Sequence, residues 1–175
     1  MTREAVQALA QVRERFEAAT GGLRWSAAES WHVTLQFLGQ ASEEQADCVL
    51  KRLGTVEAAP VPVRIEGLGF FERAGVFWAG VALTPELLAL EQKVVAATRK
   101  CGLVPEERAY HPHITLARAK GRGGAGALAP LKIAVERGKT ALEAEFFAEE
   151  FLLYESIPGP EGSQYEVRGR FALRG

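Results

Sequence analysis

Apolar positions along the chain change repeatedly between helical and alternating spacing, and the changes outline a succession of helices and strands. In 5–19, Val6, Leu9, Ala10, Val12 and Phe16 recur close to every third or fourth residue, and Gly21-Gly22 supplies a stop. Alternation over 31–38 predicts a strand with Val33, Leu35 and Phe37 on its buried face. Ser42 is placed to cap a helix running to about residue 53, with Glu43 and Glu44 in its first turn and Gly54 behind it. Strands are expected at 61–65 and 75–83, an antiparallel pair interrupted by Gly67, Gly69 and a turn near 73–75. Thr84-Pro85 opens a helix striped by Leu87, Leu90, Val94, Val95 and Ala97 and stopped near Gly102. A strand at 111–117, a glycine-rich loop, a short helix at 128–135 and strands at 143–147, 151–155 and 164–173 complete the pattern. Helices and antiparallel strands in this order predict an α+β fold.

The pattern also repeats. Helix 5–19, Gly22-Leu23 and His32 run parallel to helix 85–100, Gly102-Leu103 and His113, with nine residues from leucine to histidine in one copy and ten in the other. Two helix–strand units, near 5–39 and 85–118, related by an approximate two-fold axis would turn the histidines toward each other.

Length and composition narrow the class. The 175 residues suit one domain of two small packed lobes spanning 1–175, and 47% hydrophobic with 25% charged residues is ordinary for a soluble globular protein. A net charge of -1 means that any nucleic-acid contact must rest on a local positive patch. No apolar run is long enough for a membrane span, and Met1-Thr2-Arg3-Glu4 starts neither a signal nor a transit peptide, so a cytoplasmic protein is expected; a monomer is expected as well. Cys48 and Cys101 lie far apart in helix-like runs; two such thiols do not make a disulfide framework, and a reduced state is expected.

Against this background, His32-Val33-Thr34-Leu35 and His113-Ile114-Thr115-Leu116 stand out, because one four-residue pattern occupies two of only three histidines. In a strand, side chains two apart share one face, about 6.5 to 7 Å from each other. His32 then points with Thr34, and His113 with Thr115. Imidazole exchanges protons near neutrality, and a hydroxyl donates a hydrogen bond without adding charge. Two imidazoles on opposite sides of a tetrahedral anion can activate the attacking oxygen and protonate the leaving one, which is phosphodiester chemistry. The third histidine, His111, precedes Pro112 and is expected to be structural. No acid or thiol with metal-site spacing lies near the three imidazoles, so no metal is expected.

Gly121-Arg122-Gly123-Gly124-Ala125-Gly126 satisfies G-x-G-x-x-G, yet the surrounding order is not βαβ and no Walker lysine follows. A loop is expected there, with Lys120 and Arg122 available to contact RNA beside Arg118. Trp25, Phe70, Phe71 and Trp78 are candidates for either a base-stacking platform or the core.

The motifs in their extended forms, His32-Val33-Thr34-Leu35-Gln36-Phe37-Leu38-Gly39 and His111-Pro112-His113-Ile114-Thr115-Leu116-Ala117-Arg118, together with Gly22-Leu23-Arg24-Trp25 and Trp78-Ala79-Gly80-Val81, resemble the 2H phosphoesterase superfamily. Within it the resemblance is to the RNA 2′,3′-cyclic phosphodiesterases, also called 2′-5′ RNA ligases. It implies two lobes of antiparallel sheet with outer helices and an active-site groove between them. It further implies a cofactor- and metal-independent enzyme that opens RNA 2′,3′-cyclic phosphate ends, such as those of tRNA halves, to 2′-phosphates and can join ends in 2′-5′ linkage. On this resemblance His32 protonates the departing O3′, His113 activates water, Thr34, Thr115 and Arg118 hold phosphate oxygens, and Phe37 contacts a base. Strict alternation puts Arg118 on the face opposite His113, so its role requires a bulge or strand end, and it makes Phe37 a core residue. Family members also begin with a short strand before the first helix, whereas Met1 here falls almost on that helix; the start lies upstream, or the lobe has one strand fewer. Small cyclic nucleotides or ADP-ribose cyclic phosphate are the alternative substrates, and an RNA-binding module without turnover is the alternative class.

Overall fold

Thr2 opens the first helix by accepting a hydrogen bond from the Ala5 N–H, and the elements follow in the order α1 (Arg3–Glu17), β1 (Leu23–Trp25), α2 (Glu43–Leu53), β2 (Val61–Phe71), β3 (Val76–Val81), α3 (Pro85–Arg99), β4 (His113–Ala119), α4 (Gly124–Gly138), β5 (Glu143–Ala148), β6 (Glu150–Ile157) and β7 (Gln164–Ala172). The structure, a computed structural model, describes every residue except 19, 122, 123, 139–141, 158 and 160–163. The fold is α+β, with a five-stranded sheet ordered β1-β4-β3-β2-β5 and a two-stranded sheet of β6 and β7. No helix among the described residues is long and apolar enough to cross a membrane.

The chain divides into two units, the first made of Met1–Val33, Val63–Ala82 and Pro112–Phe146. Its core joins the stripe of α1 to the covered face of the sheet. Leu9, Phe77, Ile114 and Leu116 are fully buried, and Phe77 meets Phe16, Trp25 and Phe70 at ring distances of 6.4, 5.8 and 5.1 Å. The strand expected at 61–65 continues to Phe71, because the β2–β3 register shifts between Ile65 and Leu68 and Gly67, at φ +69°, absorbs the bulge. Helix α4 is longer than the predicted 128–135: the second half of the glycine run belongs to it, and burial of Leu128 and Leu131 outweighs the poor helix propensity of its start.

One prediction fails here. Residues 31–40 form neither helix nor strand, and the strand of this region is Leu23–Trp25. Alternation reports which side chains can be buried; a strand also needs a ladder partner. β4 is paired with β3 from His113 to Arg118 and with β1 from Ala117 to Ala119.

The second unit holds Thr34–Pro62, Leu83–His111 and Phe147–Gly175. Both of its helices start as the sequence predicts: Ser42 and Gln45 form a reciprocal capping box on α2, and Thr84 caps α3 with Pro85 in the first turn. Val49, Leu53, Leu87, Leu90 and Val94 form the interhelix core, while β6 and β7 stack Phe151 on Phe171. Thr98, fully buried on α3, donates to Gln36 Oε1 at 2.8 Å and so ties the segment after the first motif to that helix. The expectation of two reduced thiols is overturned: Cys48 on α2 and Cys101 beyond α3 are disulfide-bonded across 53 residues, with Cα atoms 5.7 Å apart. Sequence separation carries no information on that approach; the packing of α2 on α3 creates it.

Candidate active site

β4 builds most of the site. His113 and Thr115 are half-buried, whereas Ile114 and Leu116 between and beyond them are fully buried, so imidazole and hydroxyl share one face as the alternation predicts. Across β3 the register runs Ile114 with Ala79, Thr115 with Trp78, then Ala117 with Phe77 and Arg118 with Val76. Leu116 has no opposite residue. It is a β-bulge, and the two consecutive buried residues Leu116 and Ala117 mark the reversal of side-chain parity. Arg118 therefore emerges on the face of His113 and Thr115, fulfilling the condition that its proposed role requires.

His32 belongs to the same unit and follows a 3-10 turn at Ala28–Ser30. Its Nδ1–H donates to the Ser30 carbonyl at 2.7 Å, which fixes the tautomer and assigns proton exchange to Nε2. Burial pushes the imidazole below its usual 6.5; the Ser30 hydrogen bond opposes this, and the positive charge of Arg118 adds to it. Arg118 is thus close enough to act electrostatically on His32, within the same unit.

The aromatic candidates separate by face. Trp25 and Phe70 pack on Phe77 in the core. Phe71 and Trp78 instead flank His113, the first edge-on at 4.9 Å between ring centroids and the second tilted at 6.2 Å. Trp78 has room because Gly69 lies opposite it and Gly80 two residues on; a methyl group at Gly69 would fall within the indole, and one at Gly80 would strike the Glu66 carbonyl and crowd the indole. The sequence signal for these wall residues is a tryptophan alternating with glycine in β3 beside a second glycine in β2. Gly69→Ala is expected to lower stability by about 1 to 3 kcal/mol as an overpacking change and to shift the tryptophan fluorescence. Urea titration followed by that fluorescence checks both, and an unchanged midpoint would remove the glycine from this role.

The remaining predicted residues are scattered. Thr34 and Phe37 lie in the second unit. Phe37 is 64% exposed, so its core assignment is wrong: without a strand at 31–38 the alternation that buried it does not apply. Lys120 is exposed just past the end of β4, and Arg122 lies outside the described residues. His111 is exposed in the second unit. Among the described residues, no three His, Cys, Asp or Glu side chains form a group that could hold a metal ion.

With this geometry in place, residues 1–78 match the family model described as LigT like Phosphoesterase. The RNA 2′,3′-cyclic phosphodiesterase of Thermus thermophilus is 34% identical over 157 residues, covering 82% of this chain and 72% of that protein. The protein of the same name from Aeropyrum pernix is 36% identical over 107 residues, covering 59% of this chain and 61% of that one. The chain spans 55% to 61% of the length of the first curated relatives it matches. The crystal structure of E. coli LigT complexed with 3′-AMP shares the fold, with a TM-score of 0.76 and 24% identity over 99% of this chain and 93% of that one. Family model, relatives and fold agree: the chain belongs to the LigT-like family of 2H phosphoesterases.

Proposed function

We propose that the chain hydrolyses the 2′,3′-cyclic phosphate at an RNA end to a 2′-phosphomonoester, with His32 and His113 as its acid–base pair and without a metal. The observation that carries this proposal is the bulge at Leu116, which gathers imidazole, hydroxyl and guanidinium on one face of β4. The relatives' names supply the substrate class. In the proposed step a water oxygen attacks phosphorus, the P–O3′ bond breaks, and its electron pair leaves on O3′. His113 takes the water proton while His32 delivers one from Nε2 to O3′. Thr115 and the fork of Arg118 hold the non-bridging oxygens as charge builds on them. Thr34 is assigned the matching role on its motif alone. With a 5′-hydroxyl in place of water the same step forms a 2′-5′ linkage, and the strained ring supplies the driving force. The test is turnover of a short RNA with a cyclic-phosphate end in excess chelator. Full conversion is expected, and an inert or chelator-sensitive protein would overturn the proposal.

The pKa of His32 gives the proposal a pH signature. As the acid, His32 must carry its second proton in the free enzyme, so kcat/KM falls as pH rises through a value held below 6.5 by burial and by Arg118. Arg118→Gln removes one cause of that depression and should move the alkaline limb upward, whatever it does to the rate. Movement of the acid limb instead would exchange the roles of the two imidazoles. A cytoplasmic setting is likewise proposed; fractionation of cells should recover the protein with the cytosolic markers, and recovery from an oxidising compartment, where a disulfide such as Cys48–Cys101 ordinarily persists, would overturn it.

A further inference from the structure

The landmark Gly22-Leu23-Arg24-Trp25 has no role in the reaction described so far, yet the sheet register places one of its residues beside the site. Arg24 on β1 lies directly opposite Arg118 on β4. Ser26 N–H donates to the Leu116 carbonyl at 2.8 Å and Lys120 N–H to the Gly22 carbonyl at 2.9 Å. The Arg24 and Arg118 pair between them is therefore a hydrogen-bonded one, with Cα atoms about 5.5 Å apart. Leu23 is buried and Trp25 packs on Phe77, so both point to the covered face and Arg24 projects to the face of Arg118, Thr115 and His113. Arg24 is exposed, and among the described residues neither arginine has an acidic partner at ion-pair distance. Lys120, two residues beyond Arg118, extends the cationic row.

Like charges directly opposite each other in a sheet are destabilising. An anion with more than one charged group offsets this, whereas a single cyclic phosphodiester, with one negative charge, is already served by Arg118. A polynucleotide brings a second phosphate, the diester that precedes its terminal nucleotide. We infer that Arg24 binds this penultimate phosphate and so selects an RNA chain over a lone cyclic nucleotide. The inference rests on the reaction proposed above and deepens it, since Arg24 acts on substrate choice rather than on bond breaking.

The experiment compares Arg24→Gln with the unaltered protein on a short RNA ending in a 2′,3′-cyclic phosphate and on a mononucleoside 2′,3′-cyclic phosphate. For the RNA, kcat/KM should fall about tenfold, the order of one lost charge-assisted hydrogen bond. Its dependence on log salt should flatten by about 0.7, the slope of one phosphate contact on a single strand. The mononucleotide should react as before, and Arg24→Lys should restore the salt slope. The thermal midpoint should not fall, because the substitution relieves a like-charge pair. Equal losses on both substrates would place Arg24 at the reacting phosphate, and no loss on either would make it a solvated surface charge; both overturn the inference. Binding of a 3′-phosphate-ended RNA against a nucleoside 3′-monophosphate separates the two proposals. Failure of the unaltered protein to turn over cyclic ends counts against the reaction, whereas failure of Arg24→Gln to weaken RNA binding counts against Arg24.

Discussion

His32→Ala and His113→Ala are each expected to lower turnover of a cyclic-phosphate RNA end by about 10² to 10⁴, the usual contribution of one general acid or base. In the proposed mechanism the two imidazoles act in one step, so the double variant should be little worse than the poorer single one. Both residues are half-buried and lie outside the fully buried core, so the variants should remain folded, with far-ultraviolet circular dichroism unchanged. His113 sits between Phe71 and Trp78, at ring-centroid distances of 4.9 and 6.2 Å. More than a tenth of normal turnover in either variant would exclude that histidine from the chemistry.

The second large effect is on stability. The Cys48–Cys101 bond closes a 53-residue segment of the second unit, and the chain-entropy relation gives about 4 kcal/mol for a loop of that size. Cys48→Ser with Cys101→Ser should therefore lower the denaturation midpoint strongly, and reducing agent should do the same to the unaltered protein while having no effect on the double variant. Both residues lie in the second unit, whereas His32, His113 and Arg118 lie in the first, so turnover at low temperature should persist. Equal midpoints for the two proteins under non-reducing conditions would show that the bond contributes nothing to stability.

Local features of the fold were legible in the sequence wherever a short segment decides them. Ser42 and Thr84 cap helices because a side-chain oxygen three residues from an unpaired N–H settles the matter on its own. His113 and Thr115 share a face because a paired strand forces it. What depends on partners distant in sequence was not legible. The segment after His32 alternates like a strand without becoming one, and Phe37 is exposed as a result. The parity of Arg118 depended on a bulge whose place only the β3 register reveals. Phe70 and Phe71, adjacent in one strand, necessarily take opposite faces, but which of them meets the site follows from the register shift between Ile65 and Leu68. Cys48 and Cys101 meet because two helices pack together, which no spacing of two cysteines can announce.

His32 and His113 are proposed to direct water, without a metal, onto a cyclic phosphate so that the bond to O3′ breaks. The most direct measurement of this is the product formed from a cyclic-phosphate-ended RNA in ¹⁸O-water with excess chelator. A 2′-phosphate carrying one labelled oxygen is expected from the unaltered protein and no product above background from His113→Ala. A 3′-phosphate, or turnover that disappears with the chelator, would contradict it.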